Sequence, residues 1–104
     1  MRKVLVEMLE IYKPNGRDWL DYEMTRKNPY TYHHIKEKRN GGQETISNGA
    51  IITKYAHIYL NHLDVMYHRI YEELNHMFKE LNMTYQPPTE EYYEEIHHIL
   101  RKVR

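Results

Sequence analysis

The fold is decided by residues 30–62, which run YTYHHIKEKRNGGQETISNGAIITKYAHIYLNH. The β-branched and aromatic side chains from Tyr30 to Ile35 predict a strand. The polar segment from Lys36 to Asn48 cannot bury enough apolar surface to be regular, so it is predicted to be a loop. A short apolar step, Ala50 to Ile52, follows, and Thr53 can then cap a long helix.

Apolar side chains recur at spacings of three and four after Thr53, from Ala56 to Leu81, and this period predicts one long helix. The segment from Asn82 to Pro88 ends it, and Thr89 begins a second helix with basic residues near its end, Arg101, Lys102 and Arg104. The apolar face of this second helix consists of Ile96, Ile99, Leu100 and Val103. We expect it to cover a stripe on the long helix, within one chain or across a dimer; the stripe consists of Leu74, Met77, Phe78 and Leu81.

The N-terminal third carries weaker signals. Val4 to Tyr12 alternate apolar and acidic residues in a way that fits either a short strand or a helix, and Pro14-Asn15-Gly16 predicts a turn. Asp18 can cap a short helix that continues to Met24 and ends before Asn28-Pro29. Together these elements predict an α+β fold, a single domain over residues 1–104.

Composition narrows the class of protein. The chain has 104 residues, no cysteine, and 15 Lys and Arg against 15 Asp and Glu. The lack of cysteine excludes disulfide scaffolds, thiolate metal sites and a thiol nucleophile. No apolar run approaches the roughly 20 residues of a membrane span, and acids interrupt Met1 to Glu10, where a signal peptide would be apolar. We expect an intracellular protein without a membrane partner.

Charge is unevenly distributed along the chain. Up to Arg39 there are nine basic residues against six acids, whereas from Tyr71 onward there are four against seven. This asymmetry predicts that any anion-binding site lies in the first half. Eleven tyrosines and eight histidines are also present, so their arrangement has to be considered.

Histidines, a glycine pair and an asparagine follow one another at defined spacings. His33-His34 end the predicted strand, Gly41-Gly42 begins seven residues after His34, Asn48 lies fourteen after His34, and His57 lies nine further on. This pattern resembles the HNH nuclease family over residues 30–62. In that family an acid or His plus a second His end a strand, a Gly-Gly loop follows, an Asn opens the next strand, and a His lies early in a helix. The pair His97-His98 has no such continuation and is expected on a solvated helix face.

The resemblance implies a small ββα-metal core, extended here by the two helices, that hydrolyses DNA phosphodiester bonds with one divalent ion (Mg, Mn, Zn or Ni). It implies that His34 is the general base, a role that suits an imidazole with an ordinary pKa near 6.5. His33 and His57 match the metal ligands. Asn48 matches the asparagine that bridges the loop and orients the base, and Gly41 and Gly42 let the loop backbone approach phosphate.

Helical geometry adds two further ligand candidates. Asn61 lies four residues after His57 on the same face and is the third candidate, whereas His62 is turned about 140° away and is the reserve. In a regular strand His33 and His34 point to opposite faces, so the strand must end or bend between them for both to serve one site. A His in place of the more common first Asp favours transition ions over Mg²⁺.

Basic residues flank the predicted strand on both sides: Arg26, Lys27, Lys36, Lys38 and Arg39. In most proteins they would form a solvated charged loop. Beside a phosphodiesterase site they are candidate contacts to the backbone of DNA, which we expect to be double-stranded.

Two other functions remain open. The domain is alternatively a non-catalytic HNH-like binding protein, such as a phage-encoded inhibitor or a component of a larger nucleic-acid complex. His33, His57 and His62 could also build a purely structural zinc site. The helical hairpin offers a surface for a homodimer or a larger complex, and the tyrosines on the long helix are expected to pack in the core.

Overall fold

Two antiparallel strands and the helix that directly follows them lie at the centre of the computed structural model, which describes residues 1–103. The elements in chain order are α1 (Lys3–Tyr12), β1 (Tyr30–His34), β2 (Gly49–Thr53), α2 (Lys54–Met66), α3 (His68–Asn82) and α4 (Glu90–Leu100). This architecture confirms the predicted α+β class. Arg104, which the sequence places near the end of the last helix, lies outside the described residues.

The strand pair places the two histidines of β1 at one end of the sheet. His33 lies opposite Ala50 and His34 lies opposite Gly49, where β2 begins. Gly49 is required there because a Cβ would lie 2.4 Å from Cε2 of Tyr32 and 2.6 Å from Sδ of Met8. The sheet and α1 therefore pack closely at the end that carries His34.

Thr53 connects β2 to α2 as the sequence predicts. Its side chain accepts a hydrogen bond from the backbone N–H of Ala56 at 3.4 Å. Its own N–H donates to Oδ2 of the buried Asp18 at 2.7 Å. Both interactions fix the start of α2 and hence the position of His57 on its first turns.

The prediction of a single long helix from Thr53 to Leu81 is wrong. The chain leaves helical geometry at Tyr67, with φ −142° and ψ 59°, and α3 then packs back against α2. A straight helix over residues 54–82 would be about 43 Å long, which exceeds the longest dimension of the molecule, 35 Å. The break allows both halves to bury their apolar faces in one core.

In the N-terminal third, one open alternative is resolved and one prediction is wrong. Val4 to Tyr12, which fitted a strand or a helix, belongs to α1. The prediction of a short helix from Asp18 to Met24 is wrong. The Asp18 carboxylate accepts hydrogen bonds from the backbone N–H groups of Leu20 and Tyr22, and Asp21 adopts φ +66°. A side chain that bonds its own following backbone favours a turn over a helix.

The loop between the strands contains two single helical turns, Lys38–Asn40 and Ile46–Asn48, where the sequence predicted no regular structure. Gly41 has φ +87°, and a Cβ on Gly42 would lie 1.7 Å from the carbonyl oxygen of Lys36. The glycine pair therefore lets the loop backbone approach its own beginning at Lys36. Both glycines line a shallow depression with Ile35, Lys36 and Asn48.

The C-terminal helix packs within the chain, one of the two arrangements expected. Thr89 caps α4 through a hydrogen bond from the N–H of Tyr92 at 3.1 Å, and Tyr93, Ile96 and Ile99 are buried. Leu100 and Val103 are partly buried against the same core. On α3, Met77 is also partly buried, whereas Leu74, Phe78 and Leu81 are buried. The hairpin α3–α4 is thus part of the core.

No helix within residues 1–103 has the length and apolar character needed to cross a membrane.

Candidate functional site

Three of the histidines selected by spacing line one open cleft of about 290 Å³ between the end of β1, the following loop, and helices α2 and α3. They are His33, His34 and His57, which come from three different positions of the motif. The remaining lining residues are Glu37, Lys38, Arg39, Asn61, Asp64 and Tyr71. His34 is the last residue of β1, so the strand ends where both histidines of the pair can reach the same cleft.

His33 forms the inner wall of the cleft. It is 4% exposed, and its Nε2 lies 2.7 Å from Oδ1 of Asn75 on α3. Because an amide oxygen only accepts, His33 donates its Nε2–H and its Nδ1 carries the lone pair. The pKa of His33 is lowered to about 4, mainly because the ring is buried; the hydrogen bond to Asn75 opposes this shift, and the neighbouring His57 and His34 add to it.

His57 is oriented by a threonine of β1. Its Nδ1 lies 3.1 Å from Oγ1 of Thr31, and that hydroxyl donates its only proton to the carbonyl of Ile52 at 2.5 Å. Thr31 can therefore only accept from His57, which fixes the Nδ1–H tautomer and leaves Nε2 with a free lone pair. Burial, Arg2 and His34 all lower the pKa of His57.

His34 is more exposed to solvent than the other two histidines. Its ring lies edge-on to the ring of Tyr32, with centroids 4.8 Å apart, and its nitrogens form no hydrogen bond within residues 1–103. Partial burial, Arg2 and Lys38 lower its pKa, while Glu44 raises it. The lowered pKa values favour the neutral form of all three imidazoles at pH 7, and His34 lines the cleft without a hydrogen-bond partner for its ring nitrogens among residues 1–103.

Asn48 bridges the loop that follows His34. Its Oδ1 accepts from the N–H of Lys36 at 2.8 Å, and its Nδ2 donates to the carbonyls of Lys36 at 3.0 Å and Gln43 at 2.9 Å. The backbone N–H of Ile35 also donates to the carbonyl of Asn48 at 2.8 Å. Asn48 thus fixes the two residues after His34 and can influence the position of His34 only through the backbone.

The candidate metal ligands are only partly brought together. The rings of His33 and His57 have centroids 5.4 Å apart, and Asn61 lines the same cleft. His62 lies outside it, with its ring near those of Tyr59 and Tyr67. Within residues 1–103 no group of three or more His, Asp or Glu side chains is arranged to hold a metal ion.

Two imidazoles can hold a divalent ion only if further ligands complete its coordination. Catalytic zinc sites usually have three protein ligands, so here the amide of Asn61, water or phosphate oxygens would have to complete the coordination. The same geometry argues against the structural zinc site on His33, His57 and His62, because a structural site is closed by four protein ligands.

The basic residues divide between the cleft and other surfaces. Lys38 and Arg39 line the cleft, where Arg39 pairs with Glu37 and, at 3.5 Å, with Oδ2 of Asp64. Lys36 lies beside the cleft in neighbouring depressions. Arg26 and Lys27 are exposed in the turn before Tyr30. Tyr30 is at the opposite end of β1 and itself lies roughly 13 Å from His34 along the strand.

Sequence reasoning missed four polar residues of this site: Thr31, Glu37, Asp64 and Asn75. Asp64 lies seven residues after His57, which is two helical turns, so the helical period could have placed it on the same face. Thr31 lies two residues before His33 and shares its face of the strand. Asn75 had no usable signal, because its position depends on the break at Tyr67.

Comparison with known proteins gives no assignment. No family model, curated protein or solved structure matches this chain. The resemblance to HNH nucleases therefore remains a prediction based on motif spacing.

Proposed function

We propose that the cleft is the active site of a metal-dependent endonuclease that hydrolyses phosphodiester bonds of DNA. The observation that supports this proposal most strongly is the convergence of His33, His34 and His57 on one cleft with neutral rings and free lone pairs. An intracellular location and a double-stranded substrate are part of the same proposal.

The roles follow from the chemistry of each group. His34 accepts a proton from the attacking water, since it is neutral and has an unoccupied lone pair. Lys38 and Arg39 contact phosphate oxygens, and the pairing of Arg39 with Glu37 and Asp64 holds its guanidinium at the cleft. His33 and His57 would hold a divalent ion together with further ligands, and that ion would supply positive charge for the leaving oxygen.

Metal binding by the two inner histidines gives the first test. We expect His33→Ala and His57→Ala each to abolish detectable binding of Mn²⁺, Ni²⁺ and Zn²⁺, because each variant leaves only one imidazole of the proposed ligand pair. Isothermal titration calorimetry measures this directly. His98→Ala, an exposed histidine of α4, is the matched control and should bind as the wild type does.

Unaltered metal affinity in both cleft variants would show that the ligand assignment is wrong. Binding that is lost in the cleft variants without any metal-dependent cleavage by the wild type would favour the non-catalytic binding protein. Cleavage of supercoiled plasmid with Mn²⁺ and its absence with excess chelator decide between these two functions.

Asn48→Ala tests the proposed positioning role. We expect cleavage to fall roughly 10- to 1,000-fold because the loop after His34 loses three side-chain hydrogen bonds. The fold should be retained, as checked by circular dichroism. Ser47→Ala is the matched control, since Ser47 is exposed and its hydroxyl contacts the side-chain hydroxyl of Thr45 at 3.2 Å. If Asn48→Ala cleaves at the wild-type rate, Asn48 is only a turn residue and has no positioning role.

A further inference from the structure

A chain of hydrogen bonds connects two residues that line the cleft, Glu37 of the loop and His33 of β1, through helix α3. The Tyr71 hydroxyl donates to Oε1 of Glu37 at 3.3 Å, and Oδ1 of Asn75 lies 2.7 Å from Nε2 of His33. Tyr71 and Asn75 are one helical turn apart and share a face of α3. The chain therefore joins three segments that are distant in sequence.

The direction of this chain is set at Glu37. Glu37 also forms an ion pair with Arg39, and an ionised carboxylate can only accept hydrogen bonds. The Tyr71 hydroxyl therefore donates its only proton to Glu37, and its oxygen is left to accept. Burial raises the pKa of Tyr71, and a hydrogen bond from Asn75 lowers it, which requires a donor to the phenolic oxygen. The amide nitrogen of Asn75 thus faces Tyr71, and its oxygen faces His33.

The chain leaves one ring nitrogen of His33 available to a ligand. Nε2 donates its proton to Asn75, so the lone pair is on Nδ1, which has no hydrogen-bond partner within residues 1–103. In that part of the chain, Nε1 of Trp19 is the only buried side-chain nitrogen or oxygen without a hydrogen-bond partner. Nδ1 of His33 is therefore accessible to solvent, although the residue as a whole is only 4% exposed. Because His33 lines the cleft, this nitrogen opens into it.

We propose that Asn75 is a positioning residue that presents Nδ1 of His33 to a divalent ion. This inference rests on the proposed metal-dependent function of the cleft. The second ligand candidate offers the opposite nitrogen, because Thr31 fixes the Nδ1–H tautomer of His57. The ion would therefore meet Nδ1 of one histidine and Nε2 of the other, and Asn75 would act without touching it.

Nitrogen NMR of the wild-type protein tests the tautomer, because protonated and unprotonated ring nitrogens give well-separated signals. Above about pH 7, where imidazoles are mainly neutral, metal-free His33 should have a protonated Nε2 and an unprotonated Nδ1. Its signals are identified by their loss in His33→Ala. Addition of Zn²⁺ should then shift Nδ1 of His33 and Nε2 of His57. The opposite tautomer of His33, or Zn²⁺ on its Nε2, overturns the proposal.

Two substitutions of Asn75 separate positioning from packing. Asn75→Leu is similar in size but removes the acceptor, so both tautomers of His33 should be populated and the dissociation constant for Zn²⁺ should rise about 10- to 100-fold. Asn75→Asp keeps an acceptor oxygen and should bind Zn²⁺ at least as tightly as the wild type, with the wild-type tautomer. His76→Ala, the next residue of α3 and exposed, is the matched control and should bind as the wild type does.

The outcomes distinguish the role of Asn75 from the function of the cleft. Wild-type Zn²⁺ affinity in a folded Asn75→Leu, or equal loss of affinity in Asn75→Asp and Asn75→Leu, would show that Asn75 only ties α3 to the sheet. A wild type that binds Zn²⁺ in the expected pattern but does not cut DNA would contradict the nuclease and support the positioning role. A wild type that binds no divalent ion overturns both.

Discussion

Deleting residues 89–104 should leave a chain that does not unfold cooperatively, although every proposed catalytic residue remains. Helix α4 packs against α3 and buries Ile96 and Ile99 in the central core, and its Tyr93 is buried next to the guanidinium of Arg17. Burying three such side chains stabilises the fold by about 5 to 9 kcal/mol before entropy, which is comparable to the whole stability of a small domain.

Polar contacts of α4 add to this expectation. Tyr92 donates to the carbonyl of Trp19 at 2.7 Å and Tyr93 to the carbonyl of Asp18 at 3.1 Å, so α4 also holds the turn whose Asp18 side chain fixes the start of α2. Loss of α4 should therefore disturb the helix that carries His57. Thermal unfolding followed by circular dichroism measures the effect.

A point variant separates a packing role from a general truncation effect. Ile96→Ala should lower the free energy of unfolding by about 2 to 5 kcal/mol because Ile96 is fully buried. His98→Ala, two residues away and exposed, should change it by less than about 0.5 kcal/mol. A truncated protein that melts cooperatively near the full-length temperature would show that α4 is an accessory outside the core.

His34→Ala should lower DNA cleavage by about 100- to 10,000-fold, the usual contribution of a general base. The fold should be unaffected, since His34 lies at the end of β1 and is only partly buried. Metal affinity should also stay near the wild-type value, because His33 and His57 are intact. Calorimetry with Mn²⁺ on His34→Ala checks this division of roles.

The parts of the fold that sequence predicts carry local signals. The aromatic and β-branched residues of β1, the apolar residues of β2, and the caps Thr53 and Thr89 act through neighbours a few residues away. The break at Tyr67 has no proline or glycine to mark it and is imposed by packing two helices into a core shorter than their combined length. The turn at Asp18 likewise depends on Thr53, 35 positions later.

The candidate site also combines residues that the sequence predicts with residues that long-range packing brings in. Spacing alone selects His33, His34 and His57, and the structure brings these three to one cleft. The group that sets the tautomer of His33 lies outside the motif: Asn75 belongs to a helix whose direction follows from the break at Tyr67. Long-range packing therefore supplies the orientation that the motif cannot encode.

The central claim is tested most directly by the rate at which supercoiled plasmid is nicked by the wild type and by His34→Ala, prepared identically and assayed with saturating Mn²⁺. A contaminating nuclease would act equally in both preparations, so only the difference between them reports on the cleft. We predict nicking by the wild type that stops with excess chelator and is lost in His34→Ala. Equal nicking by the two proteins, or none by the wild type with any of Mg²⁺, Mn²⁺, Ni²⁺ or Zn²⁺, would contradict the proposed nuclease.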